Sequence, residues 1–312
     1  MINYIQKQIA SMIRYYFKLS NWGKLTLIAL FLIIVVSIFK REPSEGFQQS
    51  QQFLEKKGNE IYDDFYVDIY DYLVYNEIKD DYEIGEIVNK THATEKSLIL
   101  DVGCGTGHHV GEMSKHKLNA IGIDVSPSMI SRAKENYPSS NFLVKNILDT
   151  KAFPFNHFTH ITCFYFTIYY FKDKKIFFQN CMNFLKPGGY LVIHLVNRKK
   201  FDPILPPGNP LIAISPQRYA KERITVTKIK FNDFEYDANF NLDENKNVAT
   251  FTEKFKNDSD SKVRKQEHVF YMETQEDILG QAKDAGFILD SKIDLIKVSY
   301  EYQYLYILIK PS

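Results

Sequence analysis

The chain has little cysteine, a single tryptophan and almost no net charge. Its three cysteines, Cys104, Cys163 and Cys181, form no CxxC pair, and no histidine completes a zinc-like spacing around them. A disulfide framework and a structural zinc module are therefore both excluded. Each thiol sits among apolar or glycine neighbours, as a small buried hydrophobe does. The odd count points to a reducing compartment, which makes the sequons at Asn89 and Asn257 chance matches. Lys and Arg number 39 against 38 Asp and Glu, a formal charge of +1, so a nucleic-acid backbone has no electrostatic claim to be the main partner. A disordered chain is also excluded: 45% of the 312 residues are hydrophobic, and Tyr and Phe number 21 and 24.

What is present begins with a long apolar run. Residues 25–39 read LTLIALFLIIVVSIF without a charge. Together with Asn21, Trp22, Gly23 and Lys24 they approach the ~20 residues that cross a bilayer. Trp22 suits the headgroup level and Lys24 can snorkel to it. A long segment precedes the run, and KREPSEG after it lacks a small-residue cleavage site, so residues 21–40 read as a single-pass membrane anchor rather than a signal peptide. In residues 1–20, Ile2, Ile5, Ile9, Met12, Ile13, Tyr16 and Phe17 recur at helical spacing. That segment suits the membrane interface, a partner or the folded domain. Residues 41–54 are polar and read as a tether.

From residue 55 the pattern is that of a folded domain. Residues 55–80, rich in Tyr and Asp, are expected to be helical. Strands are expected over 97–102, 120–124, 141–145, 160–165 and 190–196, and helices over 110–116, 126–137 and 172–185, the last stopped by Pro187-Gly188-Gly189. Alternating strand and helix predict a doubly wound α/β fold with a mostly parallel sheet. Asp101-Val102-Gly103-Cys104-Gly105-Thr106-Gly107 lies between the first strand and the first helix. Glycines there let the backbone turn and let a ligand lie against it, and Asp124 ends the next strand at the spacing that meets a ribose diol. A dinucleotide fingerprint would need glycine at 108, where the chain has His108.

A G-x-G-x-G turn led by Asp101 resembles the first motif of class I S-adenosylmethionine-dependent methyltransferases. The likeness continues at GIDVSPSMI (122–130), NILD (146–149) and LKPGGYLVI (185–193), so it covers residues 97–196 and again the chain from 274 on. It implies a seven-stranded sheet and S-adenosylmethionine as cofactor. Gly103, Cys104, Gly105 and Gly107 are then expected to line its methionine part, with Asp101 near the amino group. The resemblance also sets Asp124 on the ribose hydroxyls and Val125, Ser126 and Met129 around the adenine. Asn146 and Ile147 stand where the family often has Asp, and Cys163 and Phe164 border the sulfonium. No metal is implied.

Two further segments are expected to define the acceptor. Residues 62–71 look like the lid that precedes the core in small-molecule methyltransferases, with Tyr66 and Tyr70 as candidates to cover the cofactor. Residues 197–272 offer strands over 224–231, 234–242, 247–255 and 264–272 separated by turn-formers, hence antiparallel hairpins. Such an insertion is similar to the added sheet of glycine and amino-sugar N-methyltransferases, where it walls the acceptor pocket or joins subunits. Residues 273–312 complete the core with a helix and an antiparallel strand pair. Should the acceptor need a base, Tyr169 and His194 are the candidates. Phe164-Tyr165-Phe166 replaces the Asn/Asp-Pro-Pro-aromatic motif of base methyltransferases, which sets nucleic acid below a small molecule. The reading is thus a membrane-anchored enzyme, its catalytic domain facing the cytosol, that methylates an amine, sugar or lipid headgroup. The alternatives are methylation of a membrane-associated protein and a non-catalytic recruitment module of the same fold.

Overall fold

The computed structural model describes residues 20, 22–26, 52–203, 222–231 and 234–312. The chain divides into residues Met1–Gln48 and Gln49–Ser312. In the first, residues 22–26 are helical. The rest of the expected anchor at 21–40, and nearly all of the amphipathic segment, lies outside the described residues. Among the described residues no helix is long and apolar enough to cross a membrane.

The second unit is built on two sheets. The larger contains β2 (Leu98–Val102), β3 (Asn119–Asp124), β4 (Asn141–Val144), β5 (Phe158–Cys163), β6 (Leu185–Val196), β11 (Ile288–Asp294) and β12 (Gln303–Ile309). Their order is β11-β12-β6-β5-β2-β3-β4. The five strands from β4 to β6 run parallel, whereas β12 lies antiparallel to both β6 and β11. The central strands are apolar along their length because helices cover both faces. In β2, Ile99, Leu100 and Val102 are all buried.

Local chemistry sets the helix starts. Ser126 caps α4 (Pro127–Asn136) by accepting from the Met129 N–H, and Pro127 fills the first turn, where no donor is needed. Asp173 caps α5 (Lys174–Phe184). Thr274 and Asp277 form a capping box on α6 (Gln275–Asp284). Between β2 and β3 runs α3 (His108–Lys115).

The smaller sheet holds the insertion strands β7 (Val226–Lys230), β8 (Phe234–Asp243), β9 (Val248–Asn257) and β10 (Val263–Tyr271), in the order β10-β9-β8-β7 and each antiparallel to its neighbour. Burial alternates along β10, so Arg264, Gln266, His268 and Phe270 face inward.

Two expectations are corrected. Residues 53–57, divided between tether and helix, form strand β1 (Phe53–Lys57), which runs parallel to β10 from Phe53↔Val263 to Lys57↔Glu267. The unpaired edge of β10 is satisfied this way, and alternating FLEKK suits a half-exposed edge strand. The helices start later, as α1 (Asp64–Val74) and α2 (Glu77–Thr91), after a 3₁₀ turn over Gly58–Ile61. The second correction concerns Pro187-Gly188-Gly189, which does not separate α5 from a later strand. Leu185 already pairs with Phe158, and Gly188, at φ +72°, lies within β6.

Lys174 fastens α5 to the end of β10. Its fully buried ammonium donates to the carbonyls of Phe171 (3.1 Å) and Tyr271 (2.7 Å) and pairs with Glu273 Oε2 at 2.6 Å. Lys174→Met should lower unfolding stability by roughly 2–4 kcal/mol, because two carbonyls and a carboxylate lose their partner. Urea denaturation followed by circular dichroism would read this as a lower midpoint, and an unchanged midpoint would remove Lys174 from the account.

Candidate active site

In the large sheet β3 and β4 follow β2 on one side and the chain then crosses to β5 and β6 on the other, so the carboxyl ends of β2 and β5 flank a crevice. The glycine turn after β2 occupies it. Gly103, Gly105 and Gly107 all have positive φ, at +70°, +52° and +91°. Such angles are open to glycine at little cost. The Gly103 and Cys104 N–H groups donate to the Ile123 carbonyl at 2.8 and 3.0 Å. Asp124, at the end of β3, accepts from the Gly105 N–H (3.1 Å) and the Ser126 N–H (2.9 Å). Turn and carboxylate are thus one hydrogen-bonded unit.

Asp101 is buried and accepts from Thr162 Oγ1 at 2.7 Å. Burial pushes its carboxyl up to about 6. Behind it lies a compact charged group. His109 stacks on Phe164 with centroids 3.9 Å apart and contacts Glu83 Oε2 at 2.9 Å and Asp80 at 3.4 Å. Asp80, Glu83 and His109 lie close enough together to share a cation. The Lys79 ammonium supplies that charge, 2.8 Å from Glu83 and 3.5 Å from Asp80. Burial opposes the charge on Glu83, yet Lys79 and His109 hold its carboxyl down to about 2.

The lid segment closes over the turn. The Tyr70 ring lies 3.6 Å from where a Cβ on Gly105 would stand. Asp71 accepts from Thr106 Oγ1 at 2.6 Å and faces His108 Nε2 at 3.0 Å. Ser126 Oγ donates to the Tyr62 carbonyl and Ser128 Oγ to Asp64, both at 2.6 Å, and Arg132 pairs with Asp68. The buried Met129 and the exposed Val125 flank Ser126. Asn146 makes a turn by accepting from the Leu148 N–H (2.9 Å), and Ile147 is buried beside it. Cys104 and Cys163 are buried free thiols, each pushed up by burial.

Tyr66 goes elsewhere: its hydroxyl donates to Glu253 Oε2 at 2.9 Å, within the insertion. Tyr169 and His194 both have their polar atoms engaged with backbone. The Tyr169 oxygen accepts from the Val196 N–H (2.9 Å), while His194 Nδ1 meets the Tyr165 carbonyl at 2.6 Å, and burial lowers the imidazole to about 4.

A second constellation escaped the sequence reading. Glu253, fully buried, accepts from Tyr66, from Gln266 Nε2 (3.0 Å) and His268 Nε2 (2.8 Å), and through its other oxygen from Tyr236 (2.7 Å). Burial works against its charge, but these donors hold the carboxyl below the usual range. His268 Nδ1 lies 2.6 Å from the Tyr170 hydroxyl, and that hydroxyl 2.7 Å from Tyr62. The signal was available: in RKQEHVFY a period of two puts Arg, Gln and His on the same face as Phe270, and polar residues on a buried face mark a site.

The glycines separate packing from access. A Cβ at Gly107 would stand 2.8 Å from Phe142 and 3.0 Å from Ala133, whereas at Gly105 only Tyr70 lies within 4 Å. Gly107→Ala should cost roughly 2–4 kcal/mol of stability through strain and overpacking, and Gly105→Ala only about 1–2 kcal/mol. Thermal denaturation of the pair would reveal the difference, and equal losses would contradict it.

The methyltransferase domain family matches residues 100–193. Phosphoethanolamine N-methyltransferase 1 of Zea mays is 34% identical over 112 residues, 35% of this chain and 22% of that protein. Ubiquinone biosynthesis O-methyltransferase of Rickettsia canadensis is 30% identical over 129 residues, 40% of this chain and 53% of that protein. The chain therefore spans between about a fifth and about half the length of these curated relatives. Among solved structures, CalS10 with S-adenosylmethionine bound, an amino pentose methyltransferase from Micromonospora echinaspora, is similar with a TM-score of 0.56. It is 15% identical and covers 79% of this chain and 96% of its own. Residues 100–193 are a methyltransferase domain, in a chain with the fold of the class I S-adenosylmethionine-dependent methyltransferases.

Proposed function

We propose that the protein transfers a methyl group from S-adenosylmethionine to a small-molecule acceptor. The observation that carries this reading is the bonded unit of glycine turn and Asp124, with the Tyr70 ring 3.6 Å from where a side chain on Gly105 would begin. The residues fit the cofactor. The turn offers backbone without Cβ atoms, and Asp124 keeps lone pairs for hydroxyl donors beyond the two N–H groups it accepts. Buried Asp101 is matched to an ammonium group. Gly103, Cys104, Gly105 and Gly107 would hold the methionine part, Ser126, Met129 and Ile147 the adenine, and Cys163 and Phe164 the region of the reacting sulfur. S-adenosylmethionine, when bound, supplies a methyl group on a positively charged sulfur. The chain's part is to align donor and acceptor and keep water out, which the lid and insertion serve.

An amine, a sugar or a lipid headgroup remains the acceptor class we favour, and the insertion is the wall it would meet. The uncharged run at 25–39 supports attachment to a membrane, with the catalytic domain on the cytosolic side, where this cofactor is made. Among the described residues β7 is the last strand of its sheet and leaves Val226 exposed, which supports a homo-oligomer through the insertion.

Calorimetric titration of the full chain with S-adenosylmethionine tests the reading. Asp124→Ala should weaken binding by roughly 100-fold, the loss of charge-assisted hydrogen bonds. No binding by folded wild-type protein would reject the proposal. Affinity should also fall as pH drops below about 6, because Asp101 then takes a proton and loses its attraction for an ammonium group. Of the groups facing Asp101, His109 favours its ionisation, while Asp80 and Asp124 oppose it. Asp101→Asn should flatten the dependence, and an unaltered profile would assign it to another group.

A further inference from the structure

We propose that Tyr62, Tyr170, His268 and Glu253 form a proton relay that takes the proton from the methyl acceptor, making His268 the general base of the reaction. The inference rests on the methyltransferase reading and assigns to that site an acceptor that gives up a proton as it is methylated, a hydroxyl or an N–H.

The proton positions follow from the hydrogen bonds. Glu253 is fully buried and surrounded by Tyr66, Tyr236, Gln266 and His268, all of them donors. An ionised carboxylate accepts only, so His268 must present its Nε2–H to it. In a neutral imidazole that leaves Nδ1 as an acceptor, and the Tyr170 hydroxyl, 2.6 Å away, donates to it. Tyr170 in turn accepts from Tyr62 at 2.7 Å. The Tyr62 oxygen then keeps its remaining acceptor capacity at the outer end of the series. A carboxylate that fixes the tautomer of a histidine, which draws a proton from a hydroxyl, is the arrangement by which nucleophiles are activated in general.

The relay points the right way. Tyr62 and Tyr170 are less buried than His268 and Glu253, so the phenols form the outer end of the series. Tyr170 ends the 3₁₀ turn Thr167–Tyr170, in which residues three apart share a face. Thr167 on that face abuts Gly103, with Cγ2 2.5 Å from where a Cβ there would stand. The Tyr62 ring lies 6.4 Å from Tyr70, the residue that covers Gly105. The outer end of the relay therefore opens beside the glycine turn.

The step balances. A lone pair of the acceptor forms the bond to the methyl carbon, and the carbon–sulfur bond breaks with its electrons leaving on sulfur. The acceptor's proton passes to the Tyr62 oxygen, the Tyr62 proton to Tyr170 and the Tyr170 proton to His268 Nδ1. An imidazolium held by the Glu253 carboxylate remains, and it releases its proton to solvent before the next turnover.

Nitrogen-15 spectra of histidine-labelled full-length protein test the relay without any acceptor. We expect His268 as the Nε2–H tautomer, with an Nδ1 resonance that moves in Tyr170→Phe. An Nδ1–H tautomer, or an Nδ1 resonance indifferent to Tyr170, overturns the proposal. Methyl transfer is then followed as S-adenosylhomocysteine release with phosphoethanolamine, glucosamine and catechol as probes. His268→Gln and Tyr170→Phe should lower kcat about 10²- to 10⁴-fold, the usual range for a general base, with the affinity for S-adenosylmethionine unchanged. Tyr236→Phe, which removes a Glu253 donor but no member of the relay, should lower kcat by about tenfold or less, well short of the other two. Equal losses in all three variants would make the group structural and refute the relay. Absence of cofactor binding in wild type would instead refute the methyltransferase reading, a result the spectra do not depend on.

Discussion

A carboxylate taken out of water persists as an anion only where several donors replace the solvent it has lost. Glu253 is that group here, with no exposed surface and four donors drawn from the lid, from β8 and from β10. Each donor is held by an element that serves another purpose. Tyr66 belongs to α1, which carries Tyr70 over the glycine turn. Tyr236 and Gln266 belong to the insertion. His268 reaches through Tyr170 into the segment after β5. The position of the lid relative to the crevice therefore depends on a charge that would be untenable if any of these elements moved away alone.

Arg264 reinforces the arrangement from the same strand. Its guanidinium pairs with Asp63 at 2.9 Å and donates to the Ile61 carbonyl at 3.0 Å. Asp63 is the cap of α1 and accepts from the Tyr66 N–H. The insertion thus fixes both where the lid helix starts and where its first turn points. Apolar contacts add to this, with Phe65 and Tyr66 of the lid against Phe255. A sheet added late in the sequence thus anchors a segment that precedes the core by many residues, and ties the helix over the glycine turn to the insertion.

The parts legible in the sequence were those set by local rules. Apolar runs marked the buried parallel strands, the helix over 126–137 lay close to its observed bounds, and turn-formers marked the hairpins of the insertion. Asp101, the three glycines and Asp124 were legible because their spacing follows from a strand–turn–helix unit. What could not be read locally was pairing at a distance. Strand β1 exists because β10 has an open edge some two hundred residues later. Tyr66 looked like a cover for the cofactor because its spacing matches that of Tyr70, yet its hydroxyl is spent on Glu253. The four donors to Glu253 come from three stretches of sequence, and no period or motif links them. Only the inward-facing Arg264, Gln266 and His268, polar where a core strand should be apolar, carried a hint. The apolar run at 25–39 lies largely outside the described residues, so its reading rests on composition alone.

The central claim, that one buried carboxylate holds lid, crevice and insertion together, is tested most directly by hydrogen–deuterium exchange of Glu253→Gln against wild type. The amide offers one acceptor where the carboxylate served four donors, without loss of volume. Faster exchange is predicted together in α1, in the Thr167–Tyr170 turn and in β10, with β3 and β4 unchanged. Faster exchange confined to β9 and β10, with α1 as protected as before, would contradict the claim and leave Glu253 a feature of its own sheet.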